Sequence, residues 1–516
     1  MNDNPSTAKK ASKGNLFQRF ATSLRVQYSA TTILMAVVPL VIVAVALGAL
    51  VSRQVRAAMT EDAFAHLTSV RESKASEIAS YFAARENDIT VLADSTYALY
   101  HDALNHVTAA REAKQGRIED YFQTKFGMAR ALRNDPTTAQ AIWEFEQAFV
   151  AEGRETGGPR WRAAYEEFNS IFQNINADFG FADILLIAAD GDVVYSVSGG
   201  ADPSTGSGQA LGEDVLLGDL KDSGLGRVFQ SAMAGEQAVA FADFAPYAPL
   251  GDAPAAFVAY AVENITGTVG VVAVQIPTDK INSIMHRDLG LGESGETYLS
   301  AQEPDGRLTF RSDRLTVGEG EFVVGYDMTE RAPQHLRDAL DGETGADVLI
   351  GGIGTPLVVS YAPLDIGVEG VNWAIVARVD VEEAFNPQIT VAEGEEKDIF
   401  TLYKEEYDYD DLYMIAPDGY IFYSVEREPD YHTNLLTGPY KDSNLGRMLA
   451  EIVESPDYDL STFAQYAPIQ DAPAAFVGAP IMHGDKLELI VAARLPLAQI
   501  SAVMQAGAGL GETGEV

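Results

Sequence analysis

The side chains most able to do chemistry are few and dispersed in this sequence. The seven histidines, at positions 66, 101, 106, 286, 335, 432 and 483, form no HxxxH or HxH pair. His101 and His106 are five residues apart, so they would not share a helix face. The chain has no cysteine, which excludes disulfides, Cys-ligated zinc, iron–sulfur clusters and thiol catalysis. With no Ser/His/Asp grouping either, the sequence predicts a non-enzymatic segment with no metal site and no cofactor.

An acidic run, from Glu405 to Asp411, is the next candidate for cation binding. It lacks the regular Asp/Asn loop with a distal Glu that calcium sites use. We therefore interpret it as the solvated end of a helix.

Two glycine patterns resemble a nucleotide motif. Glycines at 290, 292 and 295 fit GxGxxG, and so do those at 509, 511 and 514. The dinucleotide motif follows a strand and opens a helix, whereas here a helix is predicted before the glycines and a strand after them. No Gly-Lys-Ser/Thr phosphate loop is present either. A turn between modules, with glycines at positive φ, explains the pattern better.

A duplication organises the second half of the chain. Ten of the twelve residues of Tyr247–Val258 recur in Tyr466–Val477, 219 positions later. The phrase Lys221–Arg227 recurs as Lys441–Arg447. The chain therefore contains a repeated module.

The amino-acid composition limits the kinds of partner that the chain can bind. The 516 residues include 36 Lys+Arg against 75 Asp+Glu, a net charge of −39, and 47% of them are hydrophobic. Such a surface repels nucleic acid and anionic lipid, so neither is expected to bind the bulk of the chain. The apolar content is sufficient for packed cores.

The N-terminal region predicts a membrane anchor. Residues 1–30 form a basic tail, and Ile33 to Val51 run nineteen residues without a charge. That length suits one transmembrane helix, which we assign to residues 31–52. A cleaved signal peptide would have a shorter apolar segment. The positive-inside rule places the tail in the cytoplasm and the residues after about 53 outside, in the periplasm.

Residues 53–176 are predicted to form a helical stalk, because apolar residues recur there at spacings of three and four. The stalk contains an internal repeat of forty residues, in which the pattern from Val70 to Phe82 returns from Ala110 to Phe122. The two copies would form helices that pack together or stack end to end. Such a stalk needs a partner, so we expect a homodimer.

Three modules follow, and the fold class is α+β with antiparallel sheets. In the first, Asp190-Gly191 is a hairpin turn between apolar strands, a short helix follows, and three more strands end in a closing helix. We place the modules at residues 177–288, 289–390 and 391–507, the third copying the first. Residues 508–516 match the start of the second module, so we expect a truncated fourth.

This arrangement resembles the Cache sensor ectodomains of bacterial chemoreceptors and sensor kinases, which are PAS-like modules in series. The phrases that carry the resemblance are Arg71–Phe82, Asp183–Gly191, Phe244–Pro249 and Gly290–Tyr298. The resemblance implies the extracytoplasmic region of a transmembrane receptor with a tandem (double) Cache ectodomain, of the methyl-accepting chemotaxis type. It also implies a small-molecule ligand. A third module is a departure from the double-Cache pattern.

The resemblance also implies a ligand site on one face of the sheet, under the loop after the first hairpin. There an Asp would hold a ligand amine, a Lys a carboxylate, and tyrosines would close over the ligand. The expected lining is Tyr195, Lys221, Asp222, Asp243, Tyr247 and Phe257 in the first module, with Tyr423, Lys441, Asp442 and Tyr466 in the third. Asp243 corresponds to Thr462, so the two sites should differ.

Two other functions remain open from the sequence. The same ectodomain would serve a histidine kinase or a nucleotide cyclase, whose output domain would lie beyond the residues given. A non-signalling, anchored repeat or adhesion protein would also use repeated modules.

Overall fold

The structure is a computed structural model. It describes residues 16–200, 210–235, 238–287, 290–315, 322–351, 355–385, 388–392 and 394–505. The predicted start of a fourth module therefore lies outside the described residues. Residues 1–85 with 497–516 form one compact unit, and residues 86–496 form another.

Helix α1 runs without a break from Leu16 to Asn134. Its part from Leu34 onward is the one described helix long and apolar enough to cross a membrane, as the uncharged segment predicts. Both copies of the forty-residue repeat lie within this one helix, which has no break between them. The physical reason is that no proline interrupts the chain between Pro39 and Pro136.

Ten helices, α1 to α10, are present in the described residues. The nine after α1 are Pro136–Ala151 (α2), Pro159–Phe179 (α3), Gly224–Ala234 (α4), Thr278–Met285 (α5), Gln334–Leu340 (α6), Val381–Phe385 (α7), Ile399–Tyr407 (α8), Asn444–Glu454 (α9) and Leu497–Gln505 (α10). Helix α2 starts where α1 ends because Asp135 caps it, accepting a hydrogen bond from the Thr137 amide, and Pro136 occupies its first turn. The acidic run begins at the end of α8 but extends to Asp411, which is buried in the strand that follows, so the interpretation of the whole run as a solvated helix end is wrong.

Three five-stranded antiparallel sheets follow α3. The first contains Asp183–Ala188 (β1), Val193–Ser196 (β2), Ala240–Tyr247 (β3), Ala253–Asn264 (β4) and Gly267–Ile276 (β5). The second contains Glu296–Gln302 (β6), Leu308–Phe310 (β7), Gly345–Ile350 (β8), Pro356–Leu364 (β9) and Asn372–Asp380 (β10). The predicted α+β class is confirmed.

The third sheet comes after a small hairpin of Gln388–Ala392 (β11) and Glu395–Asp398 (β12). It contains Asp411–Ile415 (β13), Ile421–Ser424 (β14), Asp459–Leu460 (β15), Phe476–His483 (β18) and Lys486–Arg494 (β19), and a ribbon of Ala464–Tyr466 (β16) and Ala472–Ala474 (β17) accompanies it. The strand orders are β2-β1-β5-β4-β3, β7-β6-β10-β9-β8 and β14-β13-β19-β18-β15. One topology therefore occurs three times.

Each face of the first sheet has its own core, because successive strand residues point to opposite faces. One face packs against α1, α2 and α3, through residues such as Phe122 and Phe145. The other lies under α4, with Leu185 and Phe257 in its core. In the third sheet, α9 covers the corresponding face. Any ligand held beneath the loop and short helix must therefore contact the α4 or the α9 face.

The glycine pattern between the first and second sheets is a turn. Gly290 and Gly292 have φ of +83° and +80°, the left-handed conformation that favours glycine. The prediction of positive φ at this turn is confirmed for these two residues.

Candidate functional site

The predicted lysine and aspartate pairs belong to helix caps. Lys221 and Asp222 directly precede the N-cap Ser223 of α4, and their side chains are exposed. Their backbone carbonyls accept hydrogen bonds from the side chains of Gln230 and Arg227. The third module repeats this arrangement, with Lys441 and Asp442 exposed before the N-cap of α9. The repeated sequence therefore reflects a helix cap that the first and third modules share.

Tyr195 and Tyr423 lie on the sheet faces opposite to α4 and α9. Tyr195 is paired with Leu186 and packs in the core shared with α2 and α3, with its ring 4.9 Å from that of Phe145. Tyr423 is paired with Met414, and its hydroxyl donates to Asp398 at 3.2 Å. The alternation of side chains along β2 and β14 therefore separates these tyrosines from the other predicted lining residues.

Asp243 connects the first and second sheets. Its carboxylate accepts from Arg311 Nε at 2.9 Å and from Trp373 Nε1 at 2.8 Å. The Arg311 side chain is fully buried and also binds Glu303 at 2.7 Å. A cavity of about 510 Å³ lies beside Asp243, between these sheets. The carboxylate that was predicted to hold a ligand amine is therefore occupied by an arginine of the same chain.

Tyr247 and Phe257 do lie together on the α4 face. Their ring centroids are 5.0 Å apart, and both side chains are buried in an otherwise apolar core. Burial raises the pKa of the Tyr247 hydroxyl. That hydroxyl has no hydrogen-bond partner among the described residues.

The corresponding face of the third sheet carries polar side chains beside its hydrophobic core. Tyr466 has the same ring contact with Phe476, at 4.8 Å, but its hydroxyl donates to the buried Asp430. Tyr413 on β13 and Arg494 on β19 point to the same face and are also buried. We call Tyr413, Asp430, Tyr466 and Arg494 the third-sheet polar cluster.

Several hydrogen-bonding atoms in the third-sheet polar cluster lack partners. Within the described residues, Oδ1 of Asp430 and both Nε and one terminal nitrogen of Arg494 form no hydrogen bond. The other terminal nitrogen of Arg494 contacts the Asp410 carbonyl at 3.3 Å and lies 3.8 Å from Glu428. Leaving such groups unpaired inside a protein costs about 1–3 kcal/mol each, and more if they are charged. A ligand that pairs with them would recover that free energy.

Nearby groups keep Arg494 of the third-sheet polar cluster positively charged. Burial alone would lower the pKa of Arg494, but nearby Tyr413 and Asp411 outweigh it and raise the pKa. Burial raises the pKa of Asp430, against the hydrogen bond from Tyr466 and the charge of Arg494. A buried arginine with free donors favours an anionic group, and the carboxyl of Asp430 favours a donor.

The duplicated module shows how the third sheet has diverged. Tyr413 and Arg494 stand at the strand positions of Leu185 and Gln275 in the first sheet. Asp430 stands at the position of Ala210, since the carbonyl of each accepts a hydrogen bond from the amide three residues later, that of Thr433 or of Glu213. Of the cluster, only Tyr466 has an identical counterpart, Tyr247. Three neutral residues of the first sheet are thus replaced in the third sheet by residues with a hydroxyl, a carboxyl and a guanidinium group.

The loop carrying Asp430 is attached to the end of the second sheet. Arg427 and the Tyr431 hydroxyl both bind the carboxylate of Glu382, each at 2.7 Å. Glu382 belongs to α7, which follows β10 directly. A displacement of this loop would therefore act on the second sheet.

Asp411 is a buried carboxylate with a structural role. It accepts from the amides of Leu412 and Glu426 and from the Ser424 hydroxyl, at 2.7, 3.0 and 3.0 Å. Asp183 binds the first hairpin in the same way. Burial nonetheless raises the pKa of Asp411 to about 6.

The raised pKa of Asp411 predicts a pH-dependent stability. Between about pH 4 and about pH 6 the folded state keeps a proton that the unfolded state has released, so stability falls as pH rises and levels off above about 6. The expected loss is about 3 kcal/mol. Urea unfolding of the wild type and of Asp411→Asn measures this effect. Between about pH 4 and about pH 6, the free energy of unfolding of the wild type should fall relative to that of the variant. Buried His335, whose pKa is lowered to about 4, acts in the opposite direction but cancels in the comparison. Parallel pH profiles would contradict the prediction.

Asp430, Arg494 and Arg311 were missed from the sequence. A position-by-position alignment of the two copies would have exposed Leu185 against Tyr413, because their strands align without gaps. Asp430 lies in a loop of different composition from its counterpart, and Arg311 belongs to another module, so no local signal identifies their partners.

Comparisons with known proteins give a family and a set of folds. Residues 51–388 match a family model described as Cache domain. The third sheet lies beyond the matched residues. A search of curated proteins found no match.

Several solved structures are similar to part of the chain. The ligand-binding domain of the Pseudomonas fluorescens chemoreceptor CtaA, in complex with L-isoleucine, is 16% identical; the match covers 56% of this chain and 96% of that one, with a TM-score of 0.34. That of the Pseudomonas aeruginosa chemoreceptor PctC with GABA is 16% identical, covering 54% and 100%, with a TM-score of 0.34. That of the Campylobacter jejuni chemoreceptor Tlp3 with 4-methylisoleucine is 14% identical, covering 57% and 96%, with a TM-score of 0.37.

Proposed function

Since this chain belongs to the Cache domain family, we propose that it is the sensing region of a bacterial transmembrane receptor of the methyl-accepting chemotaxis type. Its ligand is a small polar molecule that binds between the third sheet and α9. The ligand carries an anionic group for Arg494 and a hydrogen-bond donor, such as an amine, for Asp430. The chain acts as a binding protein, without catalysis.

The observation that carries this proposal is the set of unpaired atoms in the third-sheet polar cluster. Buried polar groups are paired in nearly all native proteins, so a buried arginine with free donors beside a carboxyl with a free oxygen needs an explanation. The relatives named above bind amino acids, which offer both an anionic carboxylate and a cationic amine. A zwitterion of that size would satisfy Arg494 and Asp430 together.

Ligand binding would be transmitted from the site by a displacement of the loop that carries Asp430. Ligand bound at Asp430 moves this loop, and the loop is held to α7 by Glu382 through Arg427 and Tyr431. Because α7 follows β10, the second sheet receives the displacement. Small shifts of packed elements of this kind are a common means of switching.

The receptor assignment includes a membrane topology and an assembly. We place residues 1–30 in the cytoplasm, the anchor at 31–52 in the bacterial inner membrane, and the residues after about 53 in the periplasm. The modules at 177–288, 289–390 and 391–507 are the units that move relative to one another. A homodimer would pair α1 with its copy, as parallel helices with apolar faces do.

The test is a ligand screen on the full chain in detergent or lipid nanodiscs. Carboxylates, amines and zwitterions are tested separately by thermal shift, and each hit is titrated by calorimetry. We expect hits among molecules with an anionic group, and the tightest among zwitterions. Hits confined to apolar or purely cationic molecules, or no hit at all, would overturn the proposed site.

A further inference from the structure

A second cluster of ionisable side chains lies where α1 meets the β18–β19 hairpin of the third sheet. His101 on α1, His483 at the end of β18 and Glu488 on β19 each offer one ligand atom, and these atoms lie within 4.8 Å of one another. All three residues belong to the compact unit of residues 86–496. The third-sheet polar cluster shares no residue with them.

The three side chains are already in contact. Nε2 of His101 and Oε2 of Glu488 are 2.7 Å apart, across 387 positions of sequence. The rings of His101 and His483 have centroids 5.3 Å apart. Because the folded chain already holds these three side chains together, metal binding would lose little further conformational entropy.

A neighbouring tyrosine orients the second histidine. The hydroxyl of Tyr97 lies 2.9 Å from Nδ1 of His483, and the Tyr97 ring is 4.3 Å from that of His101. Metal-binding histidines are commonly held by such a hydrogen bond on one ring nitrogen, which leaves the other for the metal. Tyr97 and His101 are one turn apart on α1, so a single helix face supplies both the ligand and the orienting group.

We infer that His101, His483 and Glu488 form a binding site for a divalent transition metal, with zinc as the best fit. Two imidazoles, one carboxylate and a water molecule complete a tetrahedral zinc site. Magnesium and calcium prefer several oxygen ligands, which this set lacks. Binding of the ion at Nε2 of His101 replaces the contact with Glu488 by two metal–ligand bonds, and the neutral ring keeps its proton on Nδ1.

The metal would join two parts of the sensing unit. His483 and Glu488 flank the β18–β19 turn at Gly484, while His101 lies on α1. A bound ion would fasten this hairpin to α1 and so restrict its movement. His483 is exposed and His101 is only partly covered, so the site is open to solvent. The inference is independent of the ligand proposed for the third sheet.

The test uses the full chain, stripped with a chelator and titrated with Zn²⁺ or Co²⁺ in an excess of Mg²⁺. We expect one strong site per chain, a visible d–d spectrum with Co²⁺, and a rise in melting temperature that Mg²⁺ alone does not produce. His483→Ala and Glu488→Gln should each weaken Zn²⁺ binding by about tenfold or more, as even outer-sphere changes do. His483 is exposed, so His483→Ala should melt like the wild type in chelator.

His106→Ala is the matched control. His106 lies on the same helix, but its Nε2 contacts the carbonyl of Gly290 instead. Its variant should keep the Zn²⁺ affinity and the Co²⁺ spectrum of the wild type. Equal Zn²⁺ affinity in the wild type and His483→Ala, or an equal loss in His106→Ala, would overturn the inference.

Discussion

Replacing Arg311 with methionine should lower the free energy of unfolding by about 3–5 kcal/mol, the usual cost of breaking a buried ion pair. The guanidinium is fully buried and binds both Asp243 and Glu303, whose side chains are 24% and 19% exposed. Methionine fills a similar volume but leaves two neighbouring carboxylates without their cation. Those carboxylates would repel each other in a partly dehydrated place. Urea unfolding of the full chain, followed by circular dichroism, measures the loss.

Arg307→Met provides the control for this substitution. Arg307 lies on the same hairpin and pairs with Asp305 at 2.8 Å, but both side chains are more than half exposed. Exposed pairs contribute about 0–1 kcal/mol, so this variant should unfold nearly as the wild type does. If the two variants were equally stable, the contact between Asp243 and Arg311 would not hold the first and second sheets together.

Replacing Arg494 with glutamine should weaken ligand binding by about 30-fold or more, because removing one buried charged partner costs about 2–5 kcal/mol of affinity. Glutamine is the residue that the first sheet has at this position, Gln275, so the sheet accommodates it. The ligand would lose the partner of its anionic group. Calorimetric titration with the tightest zwitterion from the screen measures the change.

A second variant separates lost binding from lost structure. Tyr413→Leu, Asp430→Ala and Arg494→Gln together give the third sheet the side chains of the first at these positions. This triple variant should fold and should bind no ligand. Arg447→Met is the control, since Arg447 is an exposed cation on α9 that contacts only the Asp442 carbonyl among the described residues. Unchanged affinity in Arg494→Gln would refute the site.

Local patterns predicted the secondary structure well where the physical signal is itself local. Pro136 ends one helix and starts the next, and Asp190-Gly191 turns the first hairpin, because a proline and a glycine at positive φ restrict only their own neighbours. Likewise the uncharged run after Ile33 is helical throughout. The repeated phrases lie in sheets that have the same strand order.

The candidate site depended on information that is not local. Tyr195 and Tyr247 were predicted to line one pocket, but they lie on opposite faces of the first sheet. Strand parity alone decides this, and a shift of one residue in register reverses it. Asp243 was expected to meet a ligand, yet Arg311, 68 residues away in sequence, binds it.

By itself the sequence determined the α+β class, an N-terminal helix long and apolar enough to cross a membrane, and the absence of cysteine chemistry, because composition and hydrophobic period depend only on neighbouring residues. The tertiary structure alone decided which side chains meet. Arg494 lies opposite Asp411 only after β19 has paired with β13, and His101 meets Glu488 only when α1 packs against the third sheet. Such contacts depend on register and packing between distant segments, which no single stretch of sequence records.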